Sequence, residues 1–124
     1  FEVIRQRADH LWLSQLTDEQ RKTWTSVGYV DFKSQTGKRY RIKNYRNHNV
    51  FLLDAFGKEV RKYCAFGNDP GGQLPEGDHY FVQLITLRFN EREFLKKANT
   101  WNLLVAAHPF VGQGVDADAV IVAA

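Results

Sequence analysis

Residues 27–66 read VGYVDFKSQTGKRYRIKNYRNHNVFLLDAFGKEVRKYCAF and carry the clearest secondary-structure signal of the chain. Four short runs in it are rich in residues that favour strands, and the first two alternate apolar with polar side chains. The segments SQTG, NYRNHN and AFGK between the runs are rich in turn formers. Short strands joined by tight turns predict a four-stranded antiparallel meander. The inner face of this sheet is predicted to hold Tyr40, Ile42, Val50, Leu52, Val60 and Cys64.

Helical patterns precede the meander. Within residues 2–15, one helical face is predicted to carry Ile4, Ala8, Leu11 and Trp12. Thr17 and Gln20 have the spacing of a capping box, which predicts that a helix starts there and ends before Gly28. The pattern fits either two helices or one helix that is kinked at residues 16–17.

Helical patterns also follow the meander, after a Gly- and Pro-rich segment that predicts a loop. Residues 79–89 fit a helix capped by Asp78, and they fit a buried strand nearly as well; the helix is favoured. The next segment, NEREFLKKAN, predicts a helix in which Asn90 and Glu93 form a second capping box. Helices that precede and follow an antiparallel sheet along the sequence predict an α+β fold.

Charge divides the chain into two parts. The chain has 124 residues and a net charge of +3, and all 17 of its basic residues lie at or before Lys97. Beyond Lys97 the only charged residues are Asp116 and Asp118. We therefore expect a single α+β domain over residues 1–99 and an apolar C-terminal arm over residues 100–124. Such an arm needs another surface, on its own domain or on a partner, to cover it.

The start of the sequence and the length of its apolar runs bear on whether the chain is complete and on whether it spans a membrane. The chain begins with Phe1 and contains no Met, so we expect it to be a trimmed or partial chain. No apolar run approaches the roughly 18 residues of a membrane span, so a membrane partner is not expected.

The segment around the second predicted strand is strongly basic. In residues 38–43, Arg39, Arg41 and Lys43 recur at every second position, which places three cations on one strand face. Lys38 and Arg46 extend this stripe, and Tyr45 could stack on a base. The stripe fits a surface that binds nucleic-acid phosphates. It equally fits the solvent face of a half-buried hairpin, where cations discourage aggregation at a sheet edge.

Residues with catalytic or metal-binding chemistry are few. Cys64 is the only cysteine, and the four histidines stand in no metal-binding spacing. Nothing in the spacing demands a zinc site of Cys64, His48 and His79 or a cation site at Asp116 and Asp118. No nucleophile, base and orienting group can be assembled. We therefore predict that the chain is not an enzyme and holds no metal or other cofactor.

Six phrases of the chain together resemble a small uncharacterised domain of bacterial and bacteriophage proteins. In that group an LTxEQ helix precedes a GxxYRI strand, an NV strand, a cysteine near a proline loop and a closing DExxFLxxAN helix. The matching phrases here are LTDEQ (16–20), TGKRYRI (36–42), NVFLLD (49–54), YCAF (63–66), LPEGD (74–78) and NEREFLKKAN (90–99). The resemblance implies a helix–meander–helix order, a helix at 79–89 and a phage origin. It transfers no residue roles.

The sequence therefore predicts a non-enzymatic structural or interaction module, most plausibly a component of a phage-type assembly in a virion or in the cytoplasm. Its partners would be protein subunits of that assembly, which the arm contacts. The residues predicted to dock are Trp101, Leu103, Leu104, Phe110 and Ile121. The alternative is a basic nucleic-acid-binding module that uses the hairpin residues Lys38, Arg39, Arg41, Lys43, Tyr45 and Arg46.

Overall fold

The computed structural model of the chain describes residues 2–45, 47–64 and 75–103. Two helices come first, four strands follow, and two further helices lead into a fifth strand. The helices are α1 (Glu2–Ser14), α2 (Asp18–Val27), α3 (Glu76–Phe89) and α4 (Glu91–Lys97). The strands are β1 (Tyr29–Lys33), β2 (Arg39–Lys43), β3 (Val50–Leu53), β4 (Glu59–Cys64) and β5 (Asn99–Asn102). The predicted α+β class is confirmed.

The strands form one antiparallel sheet in the order β1-β2-β3-β4-β5, so the meander has a fifth strand that the sequence did not predict. In β5, Asn99 lies opposite Cys64 and Asn102 lies opposite Arg61. The predicted boundary between residues 99 and 100 thus falls inside β5. The described part of the predicted arm belongs to the sheet, because its backbone pairs with β4.

The chain forms two helices before the sheet, rather than one kinked helix. Thr17 caps α2: its hydroxyl accepts the Gln20 N–H at 3.1 Å, and the Gln20 side chain accepts the Thr17 N–H at 2.9 Å. This confirms the first capping box. Gly28 ends α2 with φ +81°, a left-handed conformation that glycine adopts without a Cβ clash. On α1, Ala8 and Trp12 are buried, but Ile4 and Leu11 are exposed.

A hydrophobic core fills the space between one face of the sheet and the helices. Trp12, Trp24 and Tyr80 pack against one another with ring centroids 4.9–5.6 Å apart; Trp24 meets the other two rings edge to face. Such contacts add specific geometry to the apolar area that the rings bury. Five of the six predicted inner-face residues belong to this core: Tyr40, Ile42, Val50, Leu52 and Val60.

The sixth predicted inner-face residue, Cys64, is placed wrongly by the sequence. The register between β3 and β4 shifts between Leu52 and Leu53. One extra residue in β4 reverses the faces of all residues beyond it, because side chains alternate along a strand. Tyr63 therefore enters the core, and Cys64 is only partly buried in β4, opposite Asn99.

Two caps that the sequence predicted for α3 and α4 do not form. Residues 79–89 are helical, but α3 already begins at Glu76, so Asp78 lies in its first turn and is not the cap. The second capping box does not form, because the Asn90 side chain makes no capping hydrogen bond. The Glu93 carboxylate pairs forward with Lys97 at 3.1 Å instead of reaching back to Asn90.

None of the helices within the described residues combines the length and the apolar character that crossing a membrane requires.

Candidate interaction surfaces

The basic stripe lies on the outer face of the sheet, opposite the core, and two of its three central cations form ion pairs. Arg41 contacts Asp31 at 2.7 Å and Glu59 at 3.0 Å, while Lys43 contacts Glu59 at 2.9 Å. The hydrogen bond to Asp31 raises the pKa of Arg41 above its usual value, although burial opposes this shift. The Arg41 guanidinium also lies 4.1 Å from the ring centre of Tyr29.

The carboxylates that pair with the stripe come from other strands. Asp31 lies directly opposite Arg41 in the β1–β2 register, and Glu59 reaches both cations from β4. The spacing within β2 shows that its cations share a face, but it does not show which acids stand beside them. Asp31 and Glu59 therefore neutralise the charges of Arg41 and Lys43 in the middle of the stripe that was predicted to bind phosphates.

The remaining stripe residues are less constrained. Lys38 and Arg39 are exposed and form no ion pair within the described part of the chain. Tyr45 is 45% exposed in the turn after β2. Arg46 lies outside the described residues. The described part of the stripe therefore consists of a paired centre and two exposed cations at the β1–β2 turn.

Of the two predicted docking residues that the structure describes, Trp101 is the more exposed. It lies on β5 opposite Lys62 and is 40% exposed. The Lys62 ammonium is 5.6 Å from the ring centre of Trp101, and the His48 ring centre is 4.5 Å away on another side. Leu103 is partly buried. The other three predicted docking residues, Leu104, Phe110 and Ile121, lie outside the described residues.

Two turns of the same design lie side by side at one end of the sheet. The β1–β2 turn reads SQTGK from Ser34, and the β3–β4 turn reads DAFGK from Asp54. In each, the glycine has a positive φ and donates its N–H to the carbonyl of the first residue. Arg39 pairs with Leu53 between β2 and β3, which makes the two turns neighbours.

The third residue of the two turns differs in its contacts. In the first turn this residue is Thr36, whose N–H and hydroxyl donate to the Glu91 carboxylate at 3.0 and 2.8 Å. In the second turn it is Phe56, which is 88% exposed. Sequence reasoning missed Phe56, although an aromatic residue inside a turn was a visible signal of a contact surface.

Glu91 is the most deeply buried carboxylate that the structure describes, with 2% of its surface exposed. The Tyr40 hydroxyl donates to its second oxygen at 2.8 Å. Burial alone raises the pKa of Glu91, but the neighbouring hydroxyls of Ser34, Thr36 and Tyr40 lower it by more. Burial raises the pKa of Tyr40. Both oxygens of Glu91 are engaged, which makes it a clamp between α4 and the β1–β2 turn.

An acidic, aromatic pocket opens at the opposite end of the molecule. Its volume is about 320 Å³, and its walls include Trp12, Trp24 and Tyr80. Asp9 and Glu76 supply two exposed carboxylates, and its described lining contains no Lys or Arg. The Trp12 indole N–H is buried without an acceptor among the described residues. The pocket can therefore accept an apolar group that carries a positive charge beside it.

The residues considered for metal binding are not assembled. Within residues 2–45, 47–64 and 75–103, no group of three or more His, Cys, Asp or Glu side chains could hold a metal ion. His48 lies against Trp101, and His79 lies beside Gln83 with 3.4 Å between their side-chain nitrogens. Asp116 and Asp118 lie outside the described residues.

No model of a known protein family matches the sequence, and no curated protein or solved structure is significantly similar to the chain.

Proposed function

We propose that the chain is a non-enzymatic interaction module, which docks to neighbouring protein subunits of a larger assembly through Trp101 and the apolar arm that follows it. The observation that carries the proposal is the exposed indole of Trp101 on β5. Trp is among the residues most enriched at binding hot spots, because it supplies a large, rigid contact area. The phage character of the assembly rests on the sequence resemblance alone.

The position of β5 gives the arm a fixed starting point. β5 pairs with β4 along its whole length, and its last residue, Asn102, lies opposite Arg61. An arm that starts on a paired strand loses less conformational freedom on docking than an arm on a flexible linker. Each large apolar side chain that the arm buries in a partner contributes roughly 1.5–3 kcal/mol before ordering costs.

The test compares the full chain with a chain truncated after Leu103, which keeps β5 intact. We expect the full chain to sediment as a larger assembly than the truncated chain, which should stay folded with an unchanged circular dichroism spectrum. Trp101→Ala should weaken assembly in the full chain, whereas Val27→Ala, at another exposed apolar site, should not. Equal sedimentation of full and truncated chains would contradict the proposal, and so would unfolding of the truncated chain.

A second candidate, single-stranded nucleic-acid binding, is favoured by one observation. Trp101 and Tyr45 are exposed aromatic residues, and the Lys62 ammonium lies over the Trp101 ring. Proteins that bind single strands combine aromatic stacking with cations along the backbone. The ion pairs of Arg41 and Lys43 count against this candidate, because phosphates would have to compete with Asp31 and Glu59.

Fluorescence anisotropy of a labelled single-stranded oligonucleotide, at low and moderate salt, separates the two candidates. Nucleic-acid binding requires an affinity that falls steeply with salt and drops further in Lys38→Glu/Arg39→Glu. The matched control is Lys22→Glu/Lys96→Glu, which changes the net charge equally at exposed sites outside the stripe. No binding at low salt leaves the interaction module as the function.

A further inference from the structure

The two ends of the molecule differ in charge and in shape. At one end, Phe56 projects from the β3–β4 turn, with Lys58 in the same turn and Lys38 in the neighbouring one. We name Phe56, Lys38 and Lys58 the basic knob. At the other end lies the acidic pocket of Asp9, Glu76, Trp12, Trp24 and Tyr80.

Hydrogen bonds place the knob and the pocket at opposite ends of the sheet. The β1–β2 turn, beside the knob, meets the C-terminal end of α3, where the Gln35 N–H donates to the Leu87 carbonyl at 3.0 Å. The pocket lies at the N-terminal end of the same helix, where the Tyr80 hydroxyl donates to Asn44 at 3.1 Å. The 14 residues of α3 span about 20 Å at 1.5 Å per residue.

Hydrogen bonds hold the backbone of the turn that carries Phe56, although its phenyl ring contributes little to the fold. One Asp54 carboxylate oxygen accepts the Phe56 N–H at 2.8 Å and the Lys58 N–H at 2.9 Å. These bonds fix the backbone of the turn at Phe56, which lowers the entropy cost of inserting its ring into a partner. The only acidic residue of this turn is Asp54, which is buried and already accepts hydrogen bonds from these N–H groups.

The pocket matches the knob in size and in charge. An apolar cavity of about 150 Å³ accepts benzene, so the pocket of about 320 Å³ has room for a phenyl ring. Leu13 and the small exposed parts of Trp12, Trp24 and Tyr80 give that ring apolar contacts. Lys58 and Lys38, which flank Phe56, would then meet Asp9 and Glu76 at the rim.

We propose that the basic knob of one copy of this chain inserts into the acidic pocket of a second copy. The inference rests on the proposed interaction module and names a partner for it. Because the knob and the pocket are different surfaces, the contact is heterologous: each copy keeps a free knob and a free pocket for further copies. Repetition of the contact yields a ring or an open chain of subunits.

Sedimentation of the full chain over a range of concentrations tests this contact. Phe56→Ser should lower the association constant by about 30-fold, the effect of removing a hot-spot aromatic. The folded monomer should persist, because Phe56 is exposed; circular dichroism checks this. The control Val27→Ser alters an apolar residue of α2 that is 61% exposed, against 88% for Phe56, and should leave association unchanged.

A charge swap adds a second, independent arm. Lys38→Glu/Lys58→Glu gives an acidic knob opposite an acidic pocket, and Asp9→Lys/Glu76→Lys gives a basic pocket opposite a basic knob. Each variant alone should be monomeric. An equimolar mixture should associate again, because every knob then meets a pocket of opposite charge.

The outcomes separate this contact from docking through the arm. If truncation after Leu103 dissociates the chain and Phe56→Ser does not, the arm docks and the knob contact is wrong. If Phe56→Ser dissociates the chain while the truncated chain still assembles, the knob contact stands and docking through the arm is wrong. A mixture of the charge-swapped variants that stays monomeric also overturns the knob contact, as does a full chain that is monomeric at every concentration.

Discussion

At the scale of single residues, Glu91 shows how a buried charge is kept in a small domain. Its carboxylate accepts hydrogen bonds from Thr36 and Tyr40, which replace the water that burial removes. Its own N–H donates to the Gln35 side chain at 3.1 Å. This one residue therefore fastens α4 to the first turn of the sheet.

We expect Glu91→Gln to lower the free energy of unfolding by about 1–3 kcal/mol, because the amide cannot accept from all three donors at once. Urea unfolding at pH 7 measures the loss, and Glu93→Gln, at a partly exposed position of α4, is the control. A loss as small as that of the control would mean that the hydrogen bonds contribute little.

The same carboxylate should make stability depend on pH in one direction. The pKa of Glu91 lies below its ordinary value in the folded state, so ionised Glu91 stabilises the fold. This contribution is complete at pH values above the ordinary carboxyl pKa of about 4.3 and is lost as the pH falls through the lower folded-state pKa. The difference in unfolding free energy between the native chain and Glu91→Gln should therefore shrink as the pH is taken from neutral to below about 4.3. A difference that is constant over this range would contradict the assignment.

At the scale of elements, α1 and α3 approach each other closely at one glycine. A Cβ at Gly77 would lie 2.6 Å from the Ala8 carbonyl carbon and oxygen and 2.9 Å from the Asp9 nitrogen. These are backbone atoms of a helix, so they cannot move aside as a flexible side chain would. Gly77 is thus required by helix packing and not by its own backbone conformation.

We expect Gly77→Ala to destabilise the fold by about 1–3 kcal/mol, the usual cost of overpacking, although alanine is the better helix former. Thermal unfolding measures the change. Val82→Ala alters a more exposed position of the same helix and should have a much smaller effect. A stabilised Gly77→Ala variant would show that the helices separate at little cost.

At the scale of the whole molecule, the sheet extends into the segment that the sequence assigns to the arm. β5 makes four register pairs with β4. Without β5, β4 would become an edge strand with unpaired backbone groups, which invites aggregation. The arm that is proposed to dock must therefore begin after β5.

Two truncations test this boundary. Removing residues 99–124 should lower the unfolding free energy by roughly 1–4 kcal/mol, taking about 0.2–1 kcal/mol for each cross-strand pair. Removing only the residues after Leu103 should leave the melting temperature nearly unchanged. If both truncations had the same effect on stability, β5 would not be part of the folded unit.

Local signals in the sequence predicted the helices and the first four strands that the structure describes, but not β5. Thr17 and Gln20 capped a helix as their spacing predicts, and alternation placed Tyr40 and Ile42 in the core, because caps and side-chain alternation depend on a few neighbouring residues. The tertiary structure decided what depends on residues far apart in the chain. It gave Arg41 and Lys43 their acidic partners, turned Cys64 out of the core through a one-residue shift, and placed Phe56 and the Trp12 pocket at opposite ends. Strand register and helix packing set these relations, and no single stretch of sequence contains both partners.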